Sequence, residues 1–594
     1  MARALPSHGV TQTQLASGAS YGLALQTHPA AGAFAATTDI VAAIEGYPTW
    51  SDPALRNVAA TQGHAQALIA AYRQKGNKLL DVLRGSFTFA VIDIAAEKLL
   101  TAIDRVGIQT LCYAQPAPDL VVFGATTDAV RAHPAVKATI ATQSVFDYFY
   151  FIDRVAAPST IYREQRKLTP GEYLAVENGK TATASYWQMP YRAANTIGKA
   201  TAADALKQQL RHAVETSLIG ENGDHVGAFL SGGLDSSSVV GVAAGLLPNK
   251  LQSFTIGFPV EGFDEAYYAD LAAKHFKTKH QTYYVQAQDV VDVLLKAVQI
   301  YDEPFGNSSF IPAYYCAKIA KEAGVEMMLA GDGGDELFAG NKRYAEDGVY
   351  DYYTRLPAAL RRGLVSPLCR VLPESRRAGL LGKIVRYVRR AEKSVPERMA
   401  DNIFQALSAE TIFAPEALRD MDPNLPLTLA EEIFDAPRDA SKVQRMMHLD
   451  LRITLADTDL RKVVRMCELA GVRTRFPFLD DDLVEFSASL PETLLMENGK
   501  LRQFYKDAMS DFLPGEIINK TKHGFGLPYL SFMNSYAPLR DLVCDSLTNL
   551  KRHAYFRAQF LDALIASARQ GQLSGHQIVA WDLVVMDLWL ESRR

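Results

Sequence analysis

Apolar and polar positions alternate over short runs in the first third of the chain, and turn residues break the runs apart. "FTFAVIDI" (87–94), "KLLTAID" (98–104) and "LVVFGAT" (120–126) each predict a strand. "GEYLAVENGKTATASYW" (171–187) predicts a hairpin that closes at Glu-Asn-Gly-Lys. Few long helical periods separate these runs. An antiparallel, sheet-dominated α+β domain is therefore expected over residues 1–190. The polar, small-residue stretch "QMPYRAANTIGKATAADAL" (188–206) reads as the linker to a second domain, 191–594.

Beyond it the pattern changes. Strand "HVGAFL" leads into a helical period at 236–247, followed by strand "LQSFTIGF" (251–258) and helix "FDEAYYADLAAKHF" (263–276). Strand "HQTYYV" (280–285), helices from 287 through 322 and strand "VEMMLAG" (325–331) continue the alternation. Strands alternating with helices predict a doubly wound parallel sheet, with its ligand outside the carboxyl ends of the strands. Residues 344–450 read mainly helical, with the arginine-dotted run "RLPAALRRGLVSPLCRVLPESRRAGLLGKIVRYVRR". Solvated helix faces over apolar stripes account for that run, and the alternative is a docking surface for a peptide or an anionic partner.

Composition narrows the function classes. A length of 594 residues allows two or three domains with full cores, and a net charge of −4 supplies no general basic field for nucleic acid. The five cysteines (112, 316, 369, 467 and 544) form no C-x-x-C pair, so neither a zinc site nor a disulfide framework is expected. No run of eighteen apolar residues predicts a membrane span, and the first residues carry no long apolar signal segment. A cytoplasmic protein is the expectation.

Candidate chemistry begins at "AFLSGGLDSSSVV", where Ser231, Gly232, Gly233, Asp235 and Ser236 join a strand's end to a helix's start. Glycines allow close backbone approach, successive N–H groups form an anion nest, and the helix dipole adds attraction for phosphate. No G-x-x-x-x-G-K-[ST] loop is present, and Asp235 would repel a phosphate unless a cation intervened. A Mg²⁺ bridging Asp235 to phosphate oxygens removes the conflict. "LAGDGGDELFAGNKRY" (329–344) repeats the design after another strand, with Asp332, Asp335 and Glu336 beside glycines. Two such loops could aim Asp235 and Asp335 at one metal ion.

"SGGLDSS", "GDGGDELFAG", "RFPFLDDDLVEFSASLP" (475–491) and "NKTKHGFGLP" (519–528) together resemble the asparagine synthetase B superfamily of ATP-pyrophosphatase amide ligases. Its relatives include β-lactam synthetases and lasso-peptide cyclases. "LRGSFTFAVIDIAAEKLLTAIDRVGIQTLCYA" (83–114) and "FIDRVAAPSTIYREQRKLTPGEYL" (151–174) are similar to that family's glutaminase domain. The resemblance implies an Ntn-hydrolase-like α+β sandwich, then a PP-loop domain with helical additions. It also implies ATP and Mg²⁺, with a substrate carboxylate adenylated and then captured by an amine. By matching position, Leu230 and Ile256 would line the adenine site with Ala330 and Gly331 beside them. Ser231, Gly232, Gly233 and Ser236 would hold phosphate, while Asp235 and Asp335 would carry the metal. Lys522 matches the lysine that neutralises the adenylate and the tetrahedral intermediate. Asp332 stands where asparagine synthetases carry a glutamate and β-lactam synthetases a tyrosine. It would orient the amine or take its proton, or else cap its own loop.

Departures from the family matter as much. The chain begins Met1-Ala2-Arg3, where an active glutaminase exposes a cysteine, and "AAIEGYPTWSD" (42–52) stands where an Asn-Gly-Glu run is expected. Residues 1–190 are therefore expected to be a scaffold without glutaminase chemistry. Val464 and Cys467 replace the Asp and Ser of "KVDRMSMA", and Arg473 and Thr474 alter the "LEVRVPFLD" segment. By the resemblance, these changes lie beside the expected acyl-acceptor pocket and count against recognition of free aspartate. The favoured reading is macrolactam closure of a lasso precursor peptide, with a leader peptidase and a peptide-recognition protein as partners. An ammonia-using asparagine synthetase or other amidotransferase-like enzyme, and a non-catalytic scaffold subunit, are the alternatives.

Overall fold

The computed structural model describes residues 12–192, 195–260, 262–371, 379–400, 402–520, 526–573 and 575–594. Its first part carries eleven strands: β1 (Gln12–Ser17), β2 (Gly22–Thr27), β3 (Gly32–Ala36), β4 (Ile40–Trp50), β5 (Leu83–Asp93), β6 (Lys98–Ile103), β7 (Cys112–Ala117), β8 (Leu120–Gly124), β9 (Arg166–Lys167), β10 (Glu172–Glu177) and β11 (Lys180–Ser185). Six of them form one antiparallel sheet in the order β11-β10-β6-β5-β4-β3, beside a β1-β2 pair and a β8-β7-β9 sheet. The central β4 and β5 pair along their whole length, from Ile40↔Asp93 to Trp50↔Leu83. Alternation along β4 then decides the layers. Ala42 and Ile44 pack under helices Pro53–Gln62 and His64–Lys75 with Leu68, Phe87 and Phe89, while Val41 and Ala43 face Leu23 and Leu25 of β2. The predicted hairpin closes at Asn178 and Gly179, with φ of 52° and 70° as a tight two-residue turn requires.

One boundary needs correction. Residues 199–206, read above as linker, are the first two turns of a 20-residue helix, Lys199–Leu218. Ala202, Leu206, Leu210, Ala213 and Val214 recur at helical spacing and are buried, but small and polar neighbours dilute the signal.

After this helix come β12 (Val226–Phe229), β13 (Gln252–Gly257), β14 (Lys279–Tyr284), β15 (Met327–Leu329) and β16 (Arg473–Arg475). They form one parallel sheet in the order β14-β13-β12-β15-β16. Helices Leu234–Leu246, Ala266–Phe276, Ala287–Ile300 and Phe310–Glu322 connect the first four strands, as the alternation predicts. The winding direction reverses between β12 and β15. Their carboxyl ends therefore border the crevice where open α/β sheets bind ligands. The described residues between 342 and 449 are largely helical, and no helix among the described residues is long and apolar enough to cross a membrane.

Buried charges lock the two parts together. Arg461 pairs with Asp302 at 2.9 Å and Glu303 at 3.0 Å, and Lys167 from the strand-rich part reaches Glu303 at 2.9 Å. The backbone N–H of Thr127 donates to Asp302, and that of Ile161 to Glu303. Arg105 likewise pairs with Asp481 and Glu485, while the Gly85 N–H donates to Asp481.

Candidate functional site

The turn between β12 and its helix is held open by its own serines. Ser236 Oγ accepts from the Ser231 N–H and lies 3.0 Å from Ser231 Oγ, which in turn accepts from the Gly233 N–H. Gly232 has φ +65°, and a Cβ there would strike the backbone of Tyr268 and Ala269, so only glycine fits. Asp235 sits in the first turn of helix Leu234–Leu246. Leu230, Ile256 and Ala330 are buried at the strand ends.

The second acidic loop packs directly on the first. Gly331 backs onto the Ser236 nitrogen, and a Cβ on Gly334 would collide with the carboxylate of Asp235. The glycines of "GDGGDE" thus let two helix starts share one small space, at the switch point of the sheet. Asp235 and Asp335 meet there. Arg502 Nη1 donates to Asp235 Oδ2 at 2.7 Å and to Asp335 Oδ1 at 2.9 Å, and its Nη2 donates to Asp235 Oδ1.

Arg502 was not singled out from the sequence, and neither was Lys520. Lys520 Nζ donates to the Ser231 carbonyl and pairs with Glu265 at 3.0 Å, above the Tyr268 ring. The helical break before "RQFYKDA" and the lysine two places before Lys522 were the only signals available. Lys522 itself lies outside the described residues.

Asp332 faces Lys462, which is pinned by Asp459 at 2.7 Å. Burial pushes the Asp332 carboxyl up to about 6; Lys462 opposes the shift, and Asp459 and Asp235 add to it. Its own backbone N–H also donates to it, in keeping with the loop-capping role. Burial and neighbouring Asp335 raise the carboxyl of Glu336 as well.

The donor set suits a nucleotide metal. Two carboxylates that touch one guanidinium nitrogen can touch one divalent cation. Among the described residues no group of three or more His, Cys, Asp or Glu side chains forms a metal site. A cation held by Asp235 and Asp335 would thus need phosphate oxygens to complete its shell, as magnesium in nucleotide sites does.

A cavity of about 2210 Å³ lies between the strand-rich part and the second part, lined by Glu45, Tyr47 and Thr88 of the first and by Val464, Arg465 and Arg473 of the second, among others. No cysteine lines it. All five cysteines are buried, and burial pushes the thiol of Cys112, the one cysteine of residues 1–190, well up. Arg473 and Arg475 are both tied to Glu221, at 2.6 Å and 3.2 Å. Residues 1–11, including Ala2, lie outside the described residues.

Residues 54–187 match a glutamine amidotransferase domain, and residues 205–591 match asparagine synthase. Asparagine synthetase [glutamine-hydrolyzing] 1 of Bacillus subtilis (strain 168) is 26% identical over 537 residues, covering 89% of this chain and 81% of that protein. A putative asparagine synthetase [glutamine-hydrolyzing] of Mycobacterium bovis is 27% identical over 557 residues, covering 90% and 80%. Amidase chyE of Penicillium rubens is 23% identical over 510 residues, covering 77% and 72%. Because the second match runs through every strand of the parallel sheet and both acidic loops, this chain belongs to the asparagine synthase family and is an ATP-dependent carbon–nitrogen ligase.

Proposed function

We propose that the chain closes an amide between a carboxylate and an amine of one peptide, a macrolactam synthesis of the lasso-precursor type. The observation that carries this reading is the state of the thiols. With every cysteine buried and none on the cavity that the amidotransferase-like part borders, no described thiol can release ammonia from glutamine. The amine then arrives with the substrate, and capture within one molecule is effectively unimolecular. The positions of Val464, Cys467 and Arg473 support the same view. Cys467 is fully buried and Arg473 is committed to Glu221, which leaves them no role in gripping free aspartate.

In the proposed reaction a carboxylate oxygen attacks the α-phosphorus of ATP, and the bond from that phosphorus to the pyrophosphate breaks. The nest at residues 231–236 and the helix start would bind the departing phosphates, and a magnesium ion held by Asp235 and Asp335 would supply charge stabilisation. The amine then attacks the acyl carbon, AMP leaves, and Asp332 takes the amine proton. Lys522 is assigned to the charge on the adenylate. A leader peptidase and a peptide-recognition protein would prepare and deliver the peptide.

The coverage of asparagine synthetases across most of this chain favours one second reading, amidation of a small carboxylate by free ammonia. Pyrophosphate release and product mass separate the two. A precursor peptide should stimulate release and lose one water, whereas stimulation by aspartate plus ammonium alone would overturn the cyclase reading.

Asp332 sets a pH signature for either substrate. As the proton acceptor it works only when ionised, so kcat/KM should rise with pH through a limb centred near its value of about 6. Asp332→Asn should lower the rate about 10²–10⁴-fold and remove that limb. A profile flat from about pH 5 to about pH 8, on both sides of that value, would remove Asp332 from this role.

A further inference from the structure

Arg502 occupies the point on which both acidic loops converge. Its side chain is 7% exposed, and an ion so buried is costly unless it is paired. Asp235 and Asp335 supply the pairing, from two different strand ends. Three further features hold the guanidinium there. Its backbone is left-handed at φ +56°, a conformation that a non-glycine residue keeps only where its surroundings fix it. Its guanidinium lies 4.5 Å from the centre of the Tyr505 ring, and the Tyr505 hydroxyl donates to Ser238 at 2.8 Å. Ser238 belongs to the helix that begins beside Asp235. The arginine, the ring and the helix form one braced unit.

We propose that Arg502 is a positioning residue that makes entry of the divalent cation depend on the nucleotide. The inference rests on reading the loops as a metal–nucleotide site. Without phosphate, the guanidinium holds carboxylate oxygens that a metal would need, and a cation gains too few ligands to displace it. Phosphate oxygens change the balance twice over, as extra ligands for the cation and as new acceptors for the guanidinium. The same pairing keeps the two loops at a fixed separation before any ligand arrives, which a pair of unscreened carboxylates would oppose.

Mn²⁺ alone, followed by its electron paramagnetic resonance signal, tests this on the full chain with and without α,β-methylene-ATP. The analogue should raise wild-type Mn²⁺ affinity on the order of 10- to 100-fold, after allowance for Mn²⁺ bound to analogue in solution. Arg502→Gln should take up Mn²⁺ without the analogue and lose most of that coupling, while Arg502→Lys, which keeps the charge, should retain it. Equal wild-type affinity with and without bound analogue overturns the proposal, even if Arg502→Gln does not fold. Failure of the wild type to bind the analogue at all is a different result: it removes the nucleotide reading, and this inference falls with it.

Discussion

Asp235→Asn is expected to cut substrate-dependent pyrophosphate release by roughly 10²–10³-fold, the cost of losing one preorganised charge-stabilising contact at a transition state. The substitution keeps the size of the side chain and leaves the helix it begins intact, so the loss is electrostatic. It removes the negative charge that faces Asp335 across Arg502, and with it half of the carboxylate pair available to a metal. Asp335→Asn should give a comparable loss, because in the proposed reaction the two groups would act on the same cation. The double variant should then be little worse than either single one, since residues acting as a unit are not additive. Unchanged far-ultraviolet circular dichroism would confirm that the fold persists. Activity within about threefold of wild type, against this expected loss, would show that the paired aspartates do not hold a metal on the reacting phosphates.

The convergence behind that prediction was legible because it is written in backbone chemistry. A glycine-rich turn after an apolar run marks a strand end, and an acid inside it marks a cation. That two turns so far apart share one crevice followed from the strand order of a doubly wound sheet. Arg502 was not legible. It stands in a polar segment whose local pattern says nothing of Asp235, and only the tertiary fold brings the guanidinium between the loops. Edge elements failed for a related reason. β16 is three residues, two of them arginines, and its strand state comes from pairing with β15 and from the Glu221 contacts, not from apolar alternation. β1 to β3 are rich in Ala, Gly and Thr, whose weak alternation falls below that of β5. Helix Lys199–Leu218 hid behind small and polar residues, although its buried positions keep helical spacing. The junction charges were invisible for the same cause as Arg502: Lys167, Asp302, Glu303 and Arg461 look like surface residues until the fold buries them together.

That junction carries the largest stability effect. Arg461→Met should lower unfolding stability by about 3–5 kcal/mol, because it leaves two carboxylates without the cation that justified burying them. Asp302 and Glu303 are each 3% exposed, and of the two only Glu303 keeps a contact with Lys167, which Asp457 shares at 3.7 Å. Asp302 keeps a backbone donor, Thr127, but no described cation in direct contact. The effect also has a pH signature. Burial is the largest single influence and raises the Asp302 carboxyl, but Arg461, Arg465, the Thr127 N–H and Lys167 together outweigh it and the net shift is downward. A depressed carboxylate contributes stability above its unfolded value, and that contribution is lost as pH falls through the folded one. The gap between wild type and Arg461→Met should therefore be widest near neutral pH and close as pH falls below the ordinary aspartate value of about 3.9 and through the depressed folded value. Lys167→Met should destabilise through the same cluster, and the double variant should fall short of additivity by about 0.5–3 kcal/mol, the coupling of residues in one network. Denaturant unfolding followed by tryptophan fluorescence measures all three. A shift of less than about 1 kcal/mol for Arg461→Met would mean that solvent reaches the junction and that the two parts of the chain are not locked by these charges.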